Sequence, residues 1–277
     1  MDHREGTFRG VRDANIYYQY WLPDGEGKAV LLIVHGLGEH SGRYMNVVDY
    51  FVPRGYAVYA LDHVGHGRSE GTRVYVQRFT DYTDTLHTYV DMVQGWQPGI
   101  PVFLVGHSMG GLITAIYLLD HRSDLAGAVF SGPSVAVAES ATPITLFMAR
   151  ARSVLAPKAG LIALEAETIS RDKDVVRAYE EDPLVYRGKI TARLWAEMLK
   201  AGQRVAAEAS AIDLPLLIVH GEEDRLVPAA GSRAFYQAVG SADKTRKVYA
   251  GLYHEVFNEP ERAQVLRDVE VWLEAQL

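Results

Sequence analysis

Val102-Phe103-Leu104-Val105-Gly106-His107-Ser108-Met109-Gly110-Gly111 is the stretch on which the reading of the chain turns. Four apolar residues, two of them β-branched, predict a short buried strand, and the small and apolar run from Gly110 to Leu119 predicts the helix after it. Between them lies the G-x-S-x-G pattern. In so tight a strand-to-helix turn a side chain at Gly106 or Gly110 would collide with the neighbouring strand or helix. Ser108 is then held in a strained backbone with its hydroxyl exposed at the end of the strand. The pattern alone is weak, since composition by itself supplies it in about a tenth of such chains. The predicted strand and helix around it give it weight over a Gly-rich turn with a surface serine.

Working outward towards the N-terminus, Tyr56–Leu61 and Ala29–Val34 are continuous apolar runs of the kind that form strands buried on both faces. The latter ends in His35-Gly36-Leu37-Gly38-Glu39-His40, followed by a predicted helix over 43–54 closed by Gly55. Residues 7–22 alternate about Asp13-Ala14-Asn15 and predict an antiparallel hairpin, and residues 80–97 have helical spacing. Towards the C-terminus, Ala126–Ser131 predicts a sixth strand. Leu214–Val219, a helix near 229–239, a strand at 245–249 and a helix from Glu261 complete the alternation.

This rhythm predicts an α/β fold: a mostly parallel eight-stranded sheet with helices on both faces. It breaks over residues 132–213, too long for a structureless loop, so a helical cap is expected there. The domain division is therefore 1–131 and 214–277 for the two parts of one core, with 132–213 inserted between them. Within the insertion Ile144, Phe147, Met148, Ala151 and Leu155 share one helical face, and Val175–Tyr179 and Leu194–Leu199 also look helical.

Composition narrows the function. The 277 residues carry a net charge of −7 with pI near 5.8 and no Lys/Arg run, which speaks against nucleic-acid binding. The absence of cysteine excludes disulfides, thiolate metal sites and a cysteine nucleophile. The N-terminus has no apolar signal core and no stretch reaches the ~18 apolar residues of a membrane span, so a cytoplasmic protein is the expectation.

A serine hydroxyl needs a base in hydrogen-bond reach and a carboxylate to orient that base. Both types stand beyond later strands: Asp224 in His220-Gly221-Glu222-Glu223-Asp224-Arg225-Leu226-Val227-Pro228, and His254 in Tyr253-His254-Glu255. Glu222 and Glu223 compete for the acidic role, and the step from strand to loop to Val-Pro favours Asp224. Of ten histidines, His254 alone follows the last predicted strand. His107 and His121 lie too close to Ser108 along the chain to reach that place on the rim. Negative charge on a tetrahedral intermediate needs two N–H donors, expected from Met109 at the start of its helix and from Leu37 in the turn after the third strand. His35, Asp62, His63 and His66 lack the spacing of zinc ligands, so hydrogen-bonding roles, no metal and no cofactor are expected.

The string from His35 to Tyr44, the segment Asp62 to Gly71, Gly106–Gly111 and Tyr253-His254-Glu255 together resemble the monoacylglycerol lipases and related lysophospholipases of the α/β-hydrolase superfamily, over nearly the whole chain. The resemblance implies hydrolysis of monoacylglycerol to glycerol and a fatty acid under an apolar cap, with Ser108, Asp224 and His254 in the order that superfamily uses. It also implies that Glu39 and Arg43 shape an alcohol pocket, the alternative being an ion pair within their loop, and that Tyr179 reaches the glycerol group. The cap face with Ile144, Phe147 and Met148 would contact the acyl chain and could touch a membrane surface briefly. Phe257 stands near the place of a further polar contact in the family. A lysophospholipase or broad carboxylesterase is the alternative within the fold, and a non-catalytic ligand-binding scaffold the alternative outside enzymology.

Overall fold

The computed structural model describes residues 1–121, 125–137 and 143–277, with the backbone alone for 143–147. The apolar runs form one sheet of β1 (Asp2–Arg9), β2 (Asn15–Leu22), β3 (Ala29–Val34), β4 (Tyr56–Leu61), β5 (Val102–His107), β6 (Gly127–Ser131), β7 (Leu216–Gly221) and β8 (Lys244–Tyr249). Their spatial order is β1-β2-β4-β3-β5-β6-β7-β8. The pairs β1/β2 and β2/β4 are antiparallel, and every other pair is parallel. The sheet is therefore eight-stranded and mostly parallel, as the spacing predicts. Every residue of β3, β4, β5 and β7 is buried, which is why these strands read as unbroken apolar runs. The first strand starts at Asp2 rather than near residue 7. Its exposed Asp2, His3, Arg4 and Glu5 lie on a sheet edge, where a charged strand gives no apolar pattern to read.

The helices are α1 (Met45–Phe51), α2 (Thr80–Trp96), α3 (Met109–Asp120), α4 (Pro143–Leu155), α5 (Lys173–Glu181), α6 (Ala192–Glu208), α7 (Ala229–Ala238) and α8 (Arg262–Glu274). In place of one helix over 43–54, tight turns at Ser41–Tyr44 and Val52–Arg54 flank α1, because Pro53 cannot donate to the helix and Gly55 closes it at φ 89°. Alternate residues of each strand face opposite layers. Val30, Leu32 and Val34 join the cluster that includes α2 and α3, while Leu31 and Ile33 join that of α1 and α8.

Helices α4, α5 and α6 lie between β6 and β7 and are strapped to the sheet side of the molecule. Tyr186 N–H donates to Gly38 O at 2.7 Å, Thr191 Oγ1 to Val74 O at 2.7 Å, and Glu255 N–H to Ile169 O at 2.8 Å. His40 Nε2 meets Asp182 Oδ2 at 2.8 Å. Among the described side chains of α4 the buried ones are Ala149 and Ser153, whereas Met148, Val154 and Leu155 are 54%, 73% and 85% exposed. No helix among the described residues is long and apolar enough to cross a membrane.

Candidate active site

The turn from β5 into α3 has the shape its glycines dictate. A Cβ at Gly110 would lie 1.8 Å from Val34 O of the neighbouring strand, and one at Gly106 would lie 2.4 Å from Thr114 Oγ1 of the following helix. Ser108 sits between them at φ 53° and ψ −119°, a region that non-glycine residues rarely occupy. The carbonyl of Ser108 accepts from the N–H of Ser134 at 3.0 Å, and the two hydroxyls lie 3.4 Å apart.

His254 Nδ1 donates to Asp224 Oδ2 at 2.6 Å, which leaves Nε2 as the ring's basic nitrogen. Asp224 accepts three further bonds: from Leu226 and Val227 N–H at 2.9 and 2.8 Å, and from His220 Nε2 at 3.1 Å. His220 Nε2 also lies 2.8 Å from Val227 O, so that nitrogen carries the proton. Burial opposes charge on Asp224, but His254 and the other donors outweigh it and hold the carboxyl far below its ordinary range. For His254, burial is likewise outweighed by the Asp224 charge, and its pKa is raised.

The turn after β3 is aimed by three hydrogen bonds. His35 accepts the N–H of His63 on Nε2 at 2.9 Å and therefore donates from Nδ1 to Gly36 O at 2.8 Å. The Gly36 carbonyl and the Leu37 N–H belong to one planar peptide, so holding the first orients the second. Gly36 N–H in turn donates to Glu39 Oε1 at 2.6 Å. A Cβ on Gly36 would approach Ser108 Cβ to 3.2 Å, which is how closely this turn packs on the elbow. Among the described residues, neither Leu37 nor Met109 N–H has a hydrogen-bond partner. Two unpaired donors beside a hydroxyl can receive an oxyanion.

Glu39, Arg43 and Glu255 form one buried cluster. Arg43 donates to Glu39 Oε2 at 2.9 Å and grips Glu255 with bonds of 2.6 and 2.8 Å, and its guanidinium lies 4.8 Å from the centre of the Tyr179 ring. Tyr44 hydroxyl donates to Glu39 Oε1 at 2.7 Å. Despite burial, which raises it, the Glu39 pKa is lowered to about 2, chiefly by Arg43. Burial pushes the Tyr179 phenol up to about 12.

One cavity of about 340 Å³ takes in Ser108, His254, Leu37, Met109, Glu39, Arg43, Glu255 and Tyr179. Asp224 stands behind His254, away from the opening. Much of the remaining wall is apolar and comes from the segment between β6 and β7: Val137, Leu164, Ile190, Trp195 and Met198. Met148 is outside this wall, with its side chain turned to solvent. Its helical spacing predicts a contact with the acyl chain, but the face of α4 that packs runs through Ala149 and Ser153. Ile144 and Phe147 lie outside the described side chains.

His35, His63 and His66 form a buried cluster of rings tilted or edge-on to one another, with His35 centred 4.2 and 5.4 Å from the other two, and Asp62 accepts from Ser41 and from Arg68 N–H. Among the described residues no group of three His, Asp or Glu side chains is arranged to hold a metal. Sequence reasoning missed Glu255, Ser134 and His220. For Glu255 the available signal was an acid next to His254 together with a lone arginine in the 35–43 turn. His220 is the penultimate residue of β7, four before Asp224, a spacing that signals nothing until the loop closes.

A profile of the family described as serine aminopeptidase, S33 matches residues 25–261. A monoacylglycerol lipase of Mycolicibacterium smegmatis is 41% identical over 273 residues, covering 99% of this chain and 98% of that protein. The human monoglyceride lipase is 35% identical over 261 residues, covering 93% and 86%. The crystal structure of a Paleococcus ferrophilus monoacylglycerol lipase superposes with a TM-score of 0.85 at 30% identity, covering 95% of this chain and 99% of that one.

Proposed function

Because the chain belongs to the monoacylglycerol-lipase-like family of α/β-hydrolases, we propose that it cleaves the ester bond of monoacylglycerols to glycerol and a free fatty acid. Residues 1–131 and 214–277 are the hydrolase core in this reading, and 132–213 is its cap. Ser108 attacks the ester carbonyl while His254 Nε2 takes its proton, and Asp224 orients the ring and stabilises the imidazolium. The Leu37 and Met109 N–H groups receive the negative charge of the tetrahedral intermediate. His254 then protonates departing glycerol, and a water activated by the same nitrogen releases the acyl group from Ser108.

The observation that carries this reading is the 2.6 Å bond between His254 and Asp224 at the rim of the cavity that also exposes the strained Ser108. The same cavity supports the substrate class. Its cap side is apolar and suits an acyl chain, while Glu39, Arg43, Glu255 and Tyr179 gather at a corner that suits a small polyol. Two carboxylates against one guanidinium leave that corner with excess negative charge, which disfavours a phosphate head group and sets the lysophospholipase reading second.

The test is a rate panel of a long-chain monoacylglycerol, lysophosphatidylcholine and a short nitrophenyl ester on wild type and Ser108→Ala. The monoacylglycerol should be the best substrate, and Ser108→Ala should lose at least about 10³-fold. Retention of activity within about tenfold in Ser108→Ala would refute the assignment. Tight ester binding without turnover would favour a receptor instead. Exposed Met148, Val154, Leu155 and Ile162 support a brief contact of the cap with a membrane surface. Co-sedimentation with phosphatidylcholine vesicles should fall in Leu155→Asp.

A further inference from the structure

The imidazole of His220 is wholly buried near the end of β7 and lies outside the wall of the cavity that holds Ser108. Its Nε2–H is shared between Asp224 Oδ2 at 3.1 Å and Val227 O at 2.8 Å. Its Nδ1 has no hydrogen-bond partner among the described residues. A buried acceptor left unmade costs stability that an apolar residue at this position would not, so packing alone does not account for an imidazole here. The neighbouring Gly221 shows how tightly the two loops of the site meet: a Cβ on it would lie 2.1 Å from Tyr253 O, in the loop that carries His254. The two oxygens of Asp224 are held from different sides. Oδ1 accepts from the Leu226 and Val227 N–H groups, and Oδ2 accepts from His254 Nδ1 at 2.6 Å and from His220 Nε2. Val227 donates its N–H to Oδ1 and accepts His220 on its carbonyl, so the His220 ring also closes the 224–227 loop around the carboxylate.

We propose that His220 is a positioning residue for the hydrolysis: by donating to the same oxygen that receives His254, it fixes that oxygen beside the His254 ring and limits the negative charge the ring meets. This rests on the reading of Ser108, Asp224 and His254 as the catalytic set. A second neutral donor on Oδ2 stabilises the carboxylate without adding charge. Without it His254 is the sole donor to Oδ2, and the ring faces a less satisfied anion. That favours the imidazolium, so Nε2 becomes free to accept the Ser108 proton only at higher pH. The other groups that face His254 do not involve residue 220. The His107 ring is centred 4.7 Å away, and Glu255 and Glu39 act on His254 while each is paired with Arg43.

Two variants test the proposal. His220→Leu removes the donor, and His220→Gln returns an N–H near the place of Nε2 without a group that titrates. In profiles of kcat/KM against pH for a monoacylglycerol, the acid limb of His220→Leu should move up by at least about half a pH unit. Its plateau kcat should fall about tenfold at unchanged KM. His220→Gln should hold the limb within about 0.2 pH unit of wild type. A fall in rate with the limb in place in His220→Leu, or the same shift in both variants, would overturn the proposal in favour of plain packing. The proton NMR line of His254 Nδ1–H, followed against pH, reads the same coupling without turnover and only in folded protein. Its midpoint should rise in His220→Leu, and an unmoved midpoint would also overturn the proposal. Failure of wild type to cleave any monoacylglycerol would bring down the substrate reading alone, because this midpoint does not depend on it.

Discussion

Arg43 holds Glu255, the residue directly after His254, through two parallel hydrogen bonds of 2.6 and 2.8 Å. The same guanidinium reaches Glu39, whose other oxygen holds the N–H of Gly36. One cation therefore ties the turn that carries Leu37 to the loop that carries His254, although the two are 212 residues apart in the chain.

Removing that cation leaves two buried carboxyl groups without their shared counter-charge, held only by neutral donors. Arg43→Met should cost about 3–5 kcal/mol in unfolding free energy, measured by urea denaturation. Arg43→Lys keeps the charge but not the paired geometry, and should recover only part of the loss. A change below about 0.5 kcal/mol in both variants would show that the cluster is not load-sharing.

The rate should fall in acid because His254 must be neutral to accept the proton of Ser108. Since Asp224 raises the His254 pKa, the acid limb of kcat/KM should lie above the ordinary imidazole value of about 6.5. Asp224→Asn should move that limb down and lower kcat by about 10⁴-fold. A limb that stays in place in the asparagine variant would separate Asp224 from His254 functionally.

Stability should decline as pH drops below neutrality, before most carboxylates titrate. Burial pushes the pKa values of His35 and His63 down, that of His66 to about 3 and that of His107 to about 4. Groups with depressed folded values are neutral in the native state and protonated on unfolding. Their contribution is thus present above about 6.5 and lost as pH falls, at about 1.4 kcal/mol per pH unit for each. His254, with a raised value, acts in the opposite sense: its contribution is full below the unfolded pKa and is lost as pH rises through the folded one. Urea midpoints between pH 7 and 5 should show the net loss, and His66→Gln should make the slope shallower. A flat profile in wild type would contradict the burial of these rings as neutral groups.

Strain at the elbow should be recoverable as stability. Ser108→Gly accepts φ 53° and ψ −119° without a Cβ penalty and should raise stability by about 1 kcal/mol while abolishing hydrolysis. Ser108→Ala should give no such gain. Thermal melts of the two variants side by side decide the point.

Much of the architecture was legible because its causes are local. A buried strand needs an apolar run, a tight elbow needs Gly106 and Gly110, and parallel strands need crossover helices, all of which can be read within a few residues of each other. Element ends moved where local chemistry competed, as at Pro53 in the 43–54 segment and along the charged edge strand β1. The cap was harder. Met148 belongs to an apolar helical face by spacing, yet α4 packs through Ala149 and Ser153 and leaves Met148 exposed, because an inserted helix has no sheet to dictate which face turns inward.

By itself the sequence determined the sheet, the elbow and the identity of Ser108, Asp224 and His254 as candidates, since residue type and position relative to a strand end suffice for that. The tertiary structure alone decided that Glu255 closes on Arg43 and that His220 shares the Asp224 oxygen with His254. Each of these depends on which loops meet at the carboxyl ends of strands distant in the chain. Hydrogen bonds of a few ångströms and gaps the width of a methyl group are set by that meeting, not by any one segment.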